Sequence, residues 1–242
     1  MPNKLQKAFC SYPIRLFFFL SVPFTQITAQ DSSYTRPAVT SRYEDYKKQV
    51  KQNESKKMVE LKSLMPRLLY ELRYAGTHNF MNRMMYPPGT RQTFLRQPAA
   101  LALKSVEEEL AVAGLGLKIF DAYRPYSVTV KFWELVKDER FVAHPRKGSG
   151  HNRGVAVDLT LISLQTGKEL NMGTGFDHFS DTAHHGFTKL PEEILQNRLR
   201  LKNTMEKYGF RPYADEWWHY SWPDAASFEI LDIPFKKLGK DL

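Results

Sequence analysis

The segment from Ser149 to Asp158, SGHNRGVAVD, carries the strongest local signal for chemistry in the sequence. A loop with two glycines presents His151, and the strand predicted to follow it carries Asp158. Side chains alternate along a strand, so Asp158 faces away from Val155 and Val157, within otherwise apolar sequence. A buried carboxylate needs a partner, and a metal ion shared with His151 would be one. A surface histidine and a salt-bridged aspartate would explain the same residues.

A second candidate site is the segment DEWWHY, residues 215–220. Glu216 and His219 lie three positions apart, among aromatic residues that would exclude water. Within one strand they would point to opposite faces, but Glu216 can lean toward His219 if the strand begins after it. A histidine ligand beside a carboxylate that does not bind the metal suits a hydrolytic zinc centre. The alternative is a tryptophan core with a hydrogen-bonded histidine.

Taken together, His151, Asp158 and His219 form a His/Asp/His set, predicted to hold one zinc ion per chain. Three nitrogen and oxygen ligands leave a fourth tetrahedral position for water, as catalytic zinc requires. Zinc lowers the pKa of that water toward about 7, and Glu216 would serve as general base and return the proton to the leaving amine. The single cysteine, Cys10, lies near the N-terminus, so no thiolate ligand is expected.

The segment DAYRP, residues 121–125, ends a short predicted strand and carries Arg124 between a tyrosine and a proline. At a strand end, Arg124 is well placed to project into a cleft. Attack on a peptide carbonyl develops negative charge on oxygen, and a guanidinium can stabilise that charge. An arginine in a surface turn is the other interpretation.

The elements that must position these residues follow from hydrophobic periodicity and from helix start and stop signals. We predict helices over 98–113, 127–136 and 192–208, with Ser127 capping the second. We predict strands over 68–74, 117–122, 155–162 and 217–222. Helices and strands mix without regular alternation, which favours an α+β fold over a doubly wound sheet.

The composition fits one sizeable globular domain. The chain has 242 residues, of which 42% are hydrophobic and 25% charged, which excludes a disordered, collagenous or polytopic membrane protein. The net charge is +9, but basic and acidic residues are interleaved, so no nucleic-acid partner is expected. We predict a polar extension over residues 30–60, with a short helix near 42–57, and the folded domain over 61–242.

Residues 1–29 have the order of a secretory signal peptide. Lys4, Lys7 and Arg15 precede the apolar stretch 16–24, and the small residue Ala29 follows. The apolar stretch is too short to span a bilayer comfortably. We therefore expect a protein exported to the periplasm or secreted, with no stable membrane insertion after cleavage.

In their order along the chain, these motifs resemble a known family. DAYRP, SGHNRGVAVDLTL and EWWHY are similar to the signature of zinc D-alanyl-D-alanine dipeptidases, the VanX-like branch of the M15 metallopeptidases. The segments 72–75, 79–80, 172–174, 176–177 and 184–185 are also similar to that branch. The resemblance covers roughly residues 61–235.

This resemblance implies a single α+β metallopeptidase domain with a central antiparallel sheet flanked by helices, the type shared by D,D-peptidases and hedgehog domains. It implies zinc held by His151, Asp158 and His219. It also implies Glu216 as the catalytic base and Arg124 as the residue that stabilises the transition state.

The resemblance further implies a substrate, the free D-Ala-D-Ala dipeptide, which is hydrolysed to two D-alanines. Asp177 matches the position that receives the ammonium group of the substrate, and Ser149 lies where the family contacts substrate. Export favours scavenging of dipeptides released in peptidoglycan turnover. The alternatives are a D,D- or L,D-carboxypeptidase that trims stem peptides, and a noncatalytic zinc-bearing module that binds the cell wall.

The other histidines are not predicted to be metal ligands. His184 and His185 are expected to be structural or to support the metal ligands through hydrogen bonds. His78, His144 and His178 belong to no motif and are predicted to lie on the surface or in loops.

Overall fold

A computed structural model describes residues 34–241, so the signal peptide predicted over residues 1–29 lies outside the described residues. The helices are α1 (Tyr43–Gln52), α2 (Leu61–Leu64), α3 (Gln97–Val112), α4 (Tyr126–Val136), α5 (Gly150–Arg153), α6 (Glu192–Lys207) and α7 (Phe235–Leu238). The strands are β1 (Val39–Thr40), β2 (Met58–Glu60), β3 (Leu69–Tyr70), β4 (Phe94–Arg96), β5 (Leu115–Asp121), β6 (Ala156–Ser163), β7 (Arg211–Tyr213), β8 (Glu216–Ser221) and β9 (Ile230–Leu231).

A five-stranded sheet in the order β3-β5-β6-β8-β7 forms the centre of the molecule. The edge strand β3 runs parallel to β5, and the other neighbours are antiparallel. The central strands β5 and β6 are buried almost throughout, which explains their continuous apolar runs. Helices α3 and α6 pack against this sheet. The predicted α+β fold with a central, mainly antiparallel sheet flanked by helices is confirmed.

The long helices begin and end where the sequence predicts, to within one residue. Helix α3 has Pro98 in its first turn, where the missing amide proton costs nothing, and ends before Gly114, whose φ of 73° favours glycine. Helix α6 begins after Pro191 with two acidic residues in its first turn, which favours the positive end of the helix dipole. No helix within residues 34–241 is long and apolar enough to cross a bilayer.

Two local predictions are wrong. The strand predicted over 68–74 shrinks to Leu69–Tyr70, because the carbonyl of Tyr74 instead accepts the amides of Met85 and Tyr86 in a turn. Ser127 does not cap α4, which begins one residue earlier. Both the amide and the hydroxyl of Ser127 bond to the carboxylate of Asp232, at 3.0 and 2.8 Å.

Residues 34–60, predicted as an extension of the domain, belong to the same compact unit as the rest of the described chain. Strand β1 pairs in parallel with β9, and β2 pairs with β4. Tyr46 of α1 is only 3% exposed, and its hydroxyl accepts the amide of Met58 at 2.7 Å. Apolar burial of a few residues is therefore enough to hold this polar segment against the domain.

Gly150, the first residue of α5, lies against β6 where no side chain fits. A Cβ atom there would lie 2.8 Å from the Cβ of Ala156. We predict that Gly150→Ala lowers stability by about 1–3 kcal/mol, because the strand cannot shift freely, and lowers the melting temperature by several degrees. Gly186→Ala is the matched control, since nothing lies within 4 Å of its Cβ position. Equal melting temperatures for the two variants would contradict the close contact between α5 and β6.

Candidate metal centre

Three neighbouring strands place acidic and imidazole side chains in one row. Asp158 of β6 lies opposite Asp121 of β5 on one side and opposite His219 of β8 on the other. Directly opposed residues of antiparallel strands project from the same face of the sheet. Asp158, only 3% exposed, therefore lies between a second carboxylate and an imidazole on that face.

His151 reaches this row from the short helix α5. Ser149 and Asn152 form a capping box at the start of α5, and Gly154 (φ 69°) ends it in the left-handed conformation. The amide group of Asn152 donates to the carbonyl of Arg124 and to the hydroxyl of Thr129, both at 2.9 Å. These bonds fix the turn, so that Nε2 of His151 lies 3.4 Å from a carboxylate oxygen of Asp158.

Hydrogen bonds select which imidazole nitrogens face each other. Nδ1 of His151 lies 2.7 Å from the carbonyl of Ala122, which can only accept a proton, so the lone pair is on Nε2. Nε2 of His219 lies 3.1 Å from the hydroxyl of Ser221, which can accept its proton and leave Nδ1 as the ligand atom. Partners of this kind orient metal-binding histidines in proteins.

Two of the three donor separations match those around a small tetrahedral cation, and the third pair, Nδ1 of His219 and Oδ1 of Asp158, lies at hydrogen-bond distance, 2.8 Å. Nε2 of His151 lies 3.3 Å from Nδ1 of His219 and 3.4 Å from Oδ2 of Asp158, and the ligand atoms of all three residues lie within 4.8 Å of one another. Ligand bonds of about 2.0–2.1 Å at tetrahedral angles separate donors by about 3.3 Å. The donor set therefore fits a divalent metal with a position left for water.

The pKa values of Asp158 and His219 reflect the electrostatic interactions within this cluster. Burial alone would raise the pKa of Asp158, but His151 and His219 hold it well below its usual value. Burial lowers the pKa of His219, yet the hydrogen bond and charge of Asp158 outweigh it and raise the pKa overall. Asp158 is thus an anion that two imidazoles face, the arrangement that a cation would complete.

Glu216 reaches the same site through an irregular start of β8. The strand begins at Glu216 rather than after it, but the pairing of β7 and β8 shifts register between Pro212 and Tyr213. This irregularity breaks the alternation that would separate Glu216 from His219, so Oε2 of Glu216 lies 3.9 Å from Nδ1 of His219. Burial, followed by the effect of Asp158, raises the pKa of Glu216 to about 7 against the opposing effects of His219 and Arg124.

Arg124 is held rigidly beside the three ligand residues. Its Nε and Nη2 atoms donate to one oxygen of Asp121 at 3.0 and 2.8 Å, and its guanidinium lies about 5 Å from the rings of Tyr74 and Phe132. The other oxygen of Asp121 accepts the hydroxyl of Tyr86 at 2.5 Å. Asp121 is a site residue that the motifs did not predict, although an acid three residues before Arg124 at a strand end is a signal for it.

Asp177 lies in the same cavity on a strained loop. Its φ of 59° is left-handed, which is uncommon outside glycine, and both carboxylate oxygens lie 3.1 Å from the hydroxyl of Tyr74. Burial raises the pKa of Asp177 well above its usual value, and the negative charge of Asp158 adds to this. Ser149 also lines the cavity, with its hydroxyl engaged by the amide of Asn152.

The cavity has a volume of about 260 Å³. The seven residues predicted for the site all line it: Arg124, Ser149, His151, Asp158, Asp177, Glu216 and His219. Aromatic walls surround them, formed by Tyr74, Phe80, Phe132, Phe141, Phe179, Tyr213 and Trp218. His185 packs instead on Tyr220, which faces the other side of the sheet from His219.

Comparisons with known proteins find relatives that are similar over most of this chain. A D-alanyl-D-alanine dipeptidase of Escherichia coli is 34% identical over 183 residues, which cover 76% of this chain and 93% of the relative. One of Enterococcus faecalis is 31% identical over 184 residues, which cover 69% of this chain and 87% of the relative. Similarity to the solved structure of VanYB in complex with D-Alanine-D-Alanine is lower, with 14% identity, a TM-score of 0.37, and coverage of 62% of this chain and 86% of that one.

The model of the family Peptidase_M15, described as D-ala-D-ala dipeptidase, matches residues 54–240. The match spans the five-stranded sheet and the cluster of His151, Asp158 and His219, together with Glu216 and Arg124. The chain is therefore a peptidase that belongs to the M15 family of D-Ala-D-Ala dipeptidases.

Proposed function

We propose that this protein is a zinc-dependent dipeptidase that hydrolyses free D-Ala-D-Ala to two D-alanines. The observation that carries the proposal is the three-donor cluster of His151, Asp158 and His219, with the Glu216 carboxylate beside it, in a cavity of about 260 Å³. The names of the relatives, D-alanyl-D-alanine dipeptidases, support the substrate.

Zinc is the metal that this donor set favours. His151 and His219 would supply nitrogen and Asp158 would supply oxygen, in the open three-ligand arrangement of catalytic zinc sites. When bound, zinc would lower the pKa of a water ligand toward about 7 and polarise the scissile carbonyl. The carboxylate of Asp158 would offset part of the positive charge of the ion.

Glu216 and Arg124 would move the proton and stabilise the charge. The carboxylate of Glu216 would take a proton from the attacking water and deliver it to the leaving amine. Burial in the cavity makes this carboxylate more basic than a glutamate in water, which improves it as a base. The guanidinium of Arg124, held by Asp121, would face the negative charge that develops on the carbonyl oxygen.

Asp177 would determine that the substrate has a free amino terminus. Burial and the negative charge of Asp158 both disfavour the ionised form of the Asp177 carboxylate. A cationic partner would therefore stabilise it strongly. A substrate ammonium supplies that partner. An ammonium-binding carboxylate close to the three proposed metal ligands leaves room for one residue before the scissile bond. This favours a dipeptidase over a carboxypeptidase that acts on stem peptides.

We also propose that the protein acts outside the cytoplasm on dipeptides released in peptidoglycan turnover. The signal-like order of residues 1–29 supports export. In that compartment, D-Ala-D-Ala arises from wall breakdown and its hydrolysis recovers D-alanine.

The first prediction concerns the reaction. Purified protein supplied with zinc is expected to release D-alanine from D-Ala-D-Ala, and a chelator is expected to stop it. Glu216→Gln should retain zinc but lower kcat by about 10²–10⁴-fold, because the amide cannot accept the proton. Inactivity of zinc-loaded protein would contradict the function, and full activity of Glu216→Gln would remove Glu216 from its role.

The second prediction concerns the metal. His151→Ala is expected to lose the bound zinc that the unaltered protein retains after dialysis, because two donors remain where three are needed. Metal content per chain can be measured by mass spectrometry. His78→Ala is the control, since this exposed histidine lies outside the cavity. Equal zinc content in the two variants would contradict the proposed ligand set.

The third prediction concerns the ammonium clamp. Asp177→Asn is expected to lower kcat/KM for D-Ala-D-Ala by about 10²-fold, the usual effect of removing one partner from a buried charge pair. N-acetyl-D-Ala-D-Ala should be a poor substrate of both the unaltered protein and Asp177→Asn. The ratio of kcat/KM for D-Ala-D-Ala to that for the acetylated dipeptide should be smaller in Asp177→Asn than in the unaltered protein. Faster cleavage of a stem pentapeptide than of the dipeptide would favour the carboxypeptidase alternative.

A further inference from the structure

Residues 34–53 lie before the matched family region, which begins at residue 54, yet Tyr34 contacts His144, which directly follows the cavity-lining residues 139–143. We refer to residues 34–53 as the N-terminal segment and to residues 138–149 as the rim loop. We propose that the N-terminal segment positions the rim loop, through Tyr34, so that the cavity can bind its substrate. The effect on substrate binding rests on the proposed function, whereas the effect on the conformation of the rim loop does not.

The rim loop forms one wall of the cavity. Five consecutive residues, 139–143, line it, and the loop ends at Ser149, where α5 begins. The loop is partly exposed: Phe141 is 36% exposed although it lines the cavity, whereas Val142 is only 2% exposed. The exposed part of the loop depends on contacts with other segments to remain in one conformation.

Contacts on the cavity side of the loop are few. The ring of Phe141 lies 4.8 Å from that of Phe179, and Glu139 pairs with Lys147 at 3.0 Å across the loop. The ion pair is exposed and contributes little. Val142 packs in the core, and Arg153 donates to the carbonyl of Lys147 at 3.5 Å. The N-terminal segment adds a further contact.

Tyr34 provides that contact through His144. Its ring meets the ring of His144 edge to face at 5.3 Å, and the other neighbour of His144 is Trp133 of α4, at 4.4 Å. The imidazole of His144, predicted to be an ordinary surface histidine, is thus packed between two aromatic rings. Its Nδ1 atom accepts the amide of Arg146, which links the packed ring to the backbone of the loop.

Arg36 and Tyr126 make a second connection. The guanidinium of Arg36 lies 5.2 Å from the ring centre of Tyr126, and the hydroxyl of Tyr126 donates to the carbonyl of Pro145 in the rim loop at 3.2 Å. The segment itself is anchored by the pairing of Val39–Thr40 with β9. The contacts therefore run from an anchored strand to the outer side of the rim loop.

Individual aromatic contacts are weak, so the expected effect is a shift in the loop population rather than unfolding. Tyr34→Ala should raise the KM for D-Ala-D-Ala twofold to tenfold, the range that one aromatic edge contact accounts for, with kcat changed less than twofold. A role in general stability would not separate KM from kcat in this way.

Hydrogen exchange tests the contact without any substrate. The amides of Phe141 and Val142 both bond to the carbonyl of Asp138, at 3.1 and 3.0 Å, and report whether the loop is closed. In Tyr34→Ala, peptides from residues 138–149 should exchange twofold to tenfold faster than in the unaltered protein. Tyr34→Phe, which keeps the ring, should stay closer to the unaltered protein than Tyr34→Ala does.

Lys48→Ala is the matched control, because Lys48 belongs to the same segment and, within residues 34–241, pairs with Asp45 on α1 rather than with the rim loop. Unchanged exchange of the rim loop in Tyr34→Ala would overturn the proposal, even if the protein proved inactive on D-Ala-D-Ala. Faster exchange with an unchanged KM would overturn the link between the rim loop and substrate binding. Equal effects of Lys48→Ala and Tyr34→Ala would also overturn it.

Discussion

The site depends on a single buried carboxylate. Asp158 occupies the middle strand of the sheet, 3% exposed, with imidazoles on two sides and a second carboxylate, Asp121, opposite it on β5. A carboxylate taken out of water is unstable unless cations or donors compensate it. The positions of His151 and His219 satisfy that requirement in part, and a divalent cation would satisfy it fully. The arrangement of side chains that suits a metal ion thus also stabilises the buried negative charge of Asp158.

The same constraint extends to the surrounding charges. Asp121, Asp158 and Asp177 all interact electrostatically with the guanidinium of Arg124. The guanidinium of Arg124 donates two hydrogen bonds to Asp121, and it packs beside the rings of Tyr74 and Phe132. Arg124 is therefore fixed before any substrate binds, which is the condition for effective stabilisation of a transition state. Glu216 and Asp177, by contrast, remain basic because burial disfavours their charge.

Local elements were predictable where a single physical signal dominated. The ends of α3 and α6 follow from proline and glycine, and β6 follows from its apolar run. The strand predicted over 68–74 failed because Tyr74 bonds to a distant turn, and the cap predicted at Ser127 failed because Asp232 competes for it. Both failures come from partners more than ten residues away, which no local pattern contains.

The amino-acid sequence was enough to predict the kinds of donor at the site, their order along the chain and the family, because residue chemistry and motif order are local properties. That Glu216 lies on the same side as His219 is visible only in the folded chain, since it depends on an irregular pairing of two strands. The same holds for the contact of Asp121 with Arg124 and for the packing of residues 34–53 against the domain, where Tyr34 meets His144. Such contacts depend on how distant segments approach in space. A few apolar or aromatic residues within a polar segment do not form a sequence pattern that would predict its packing.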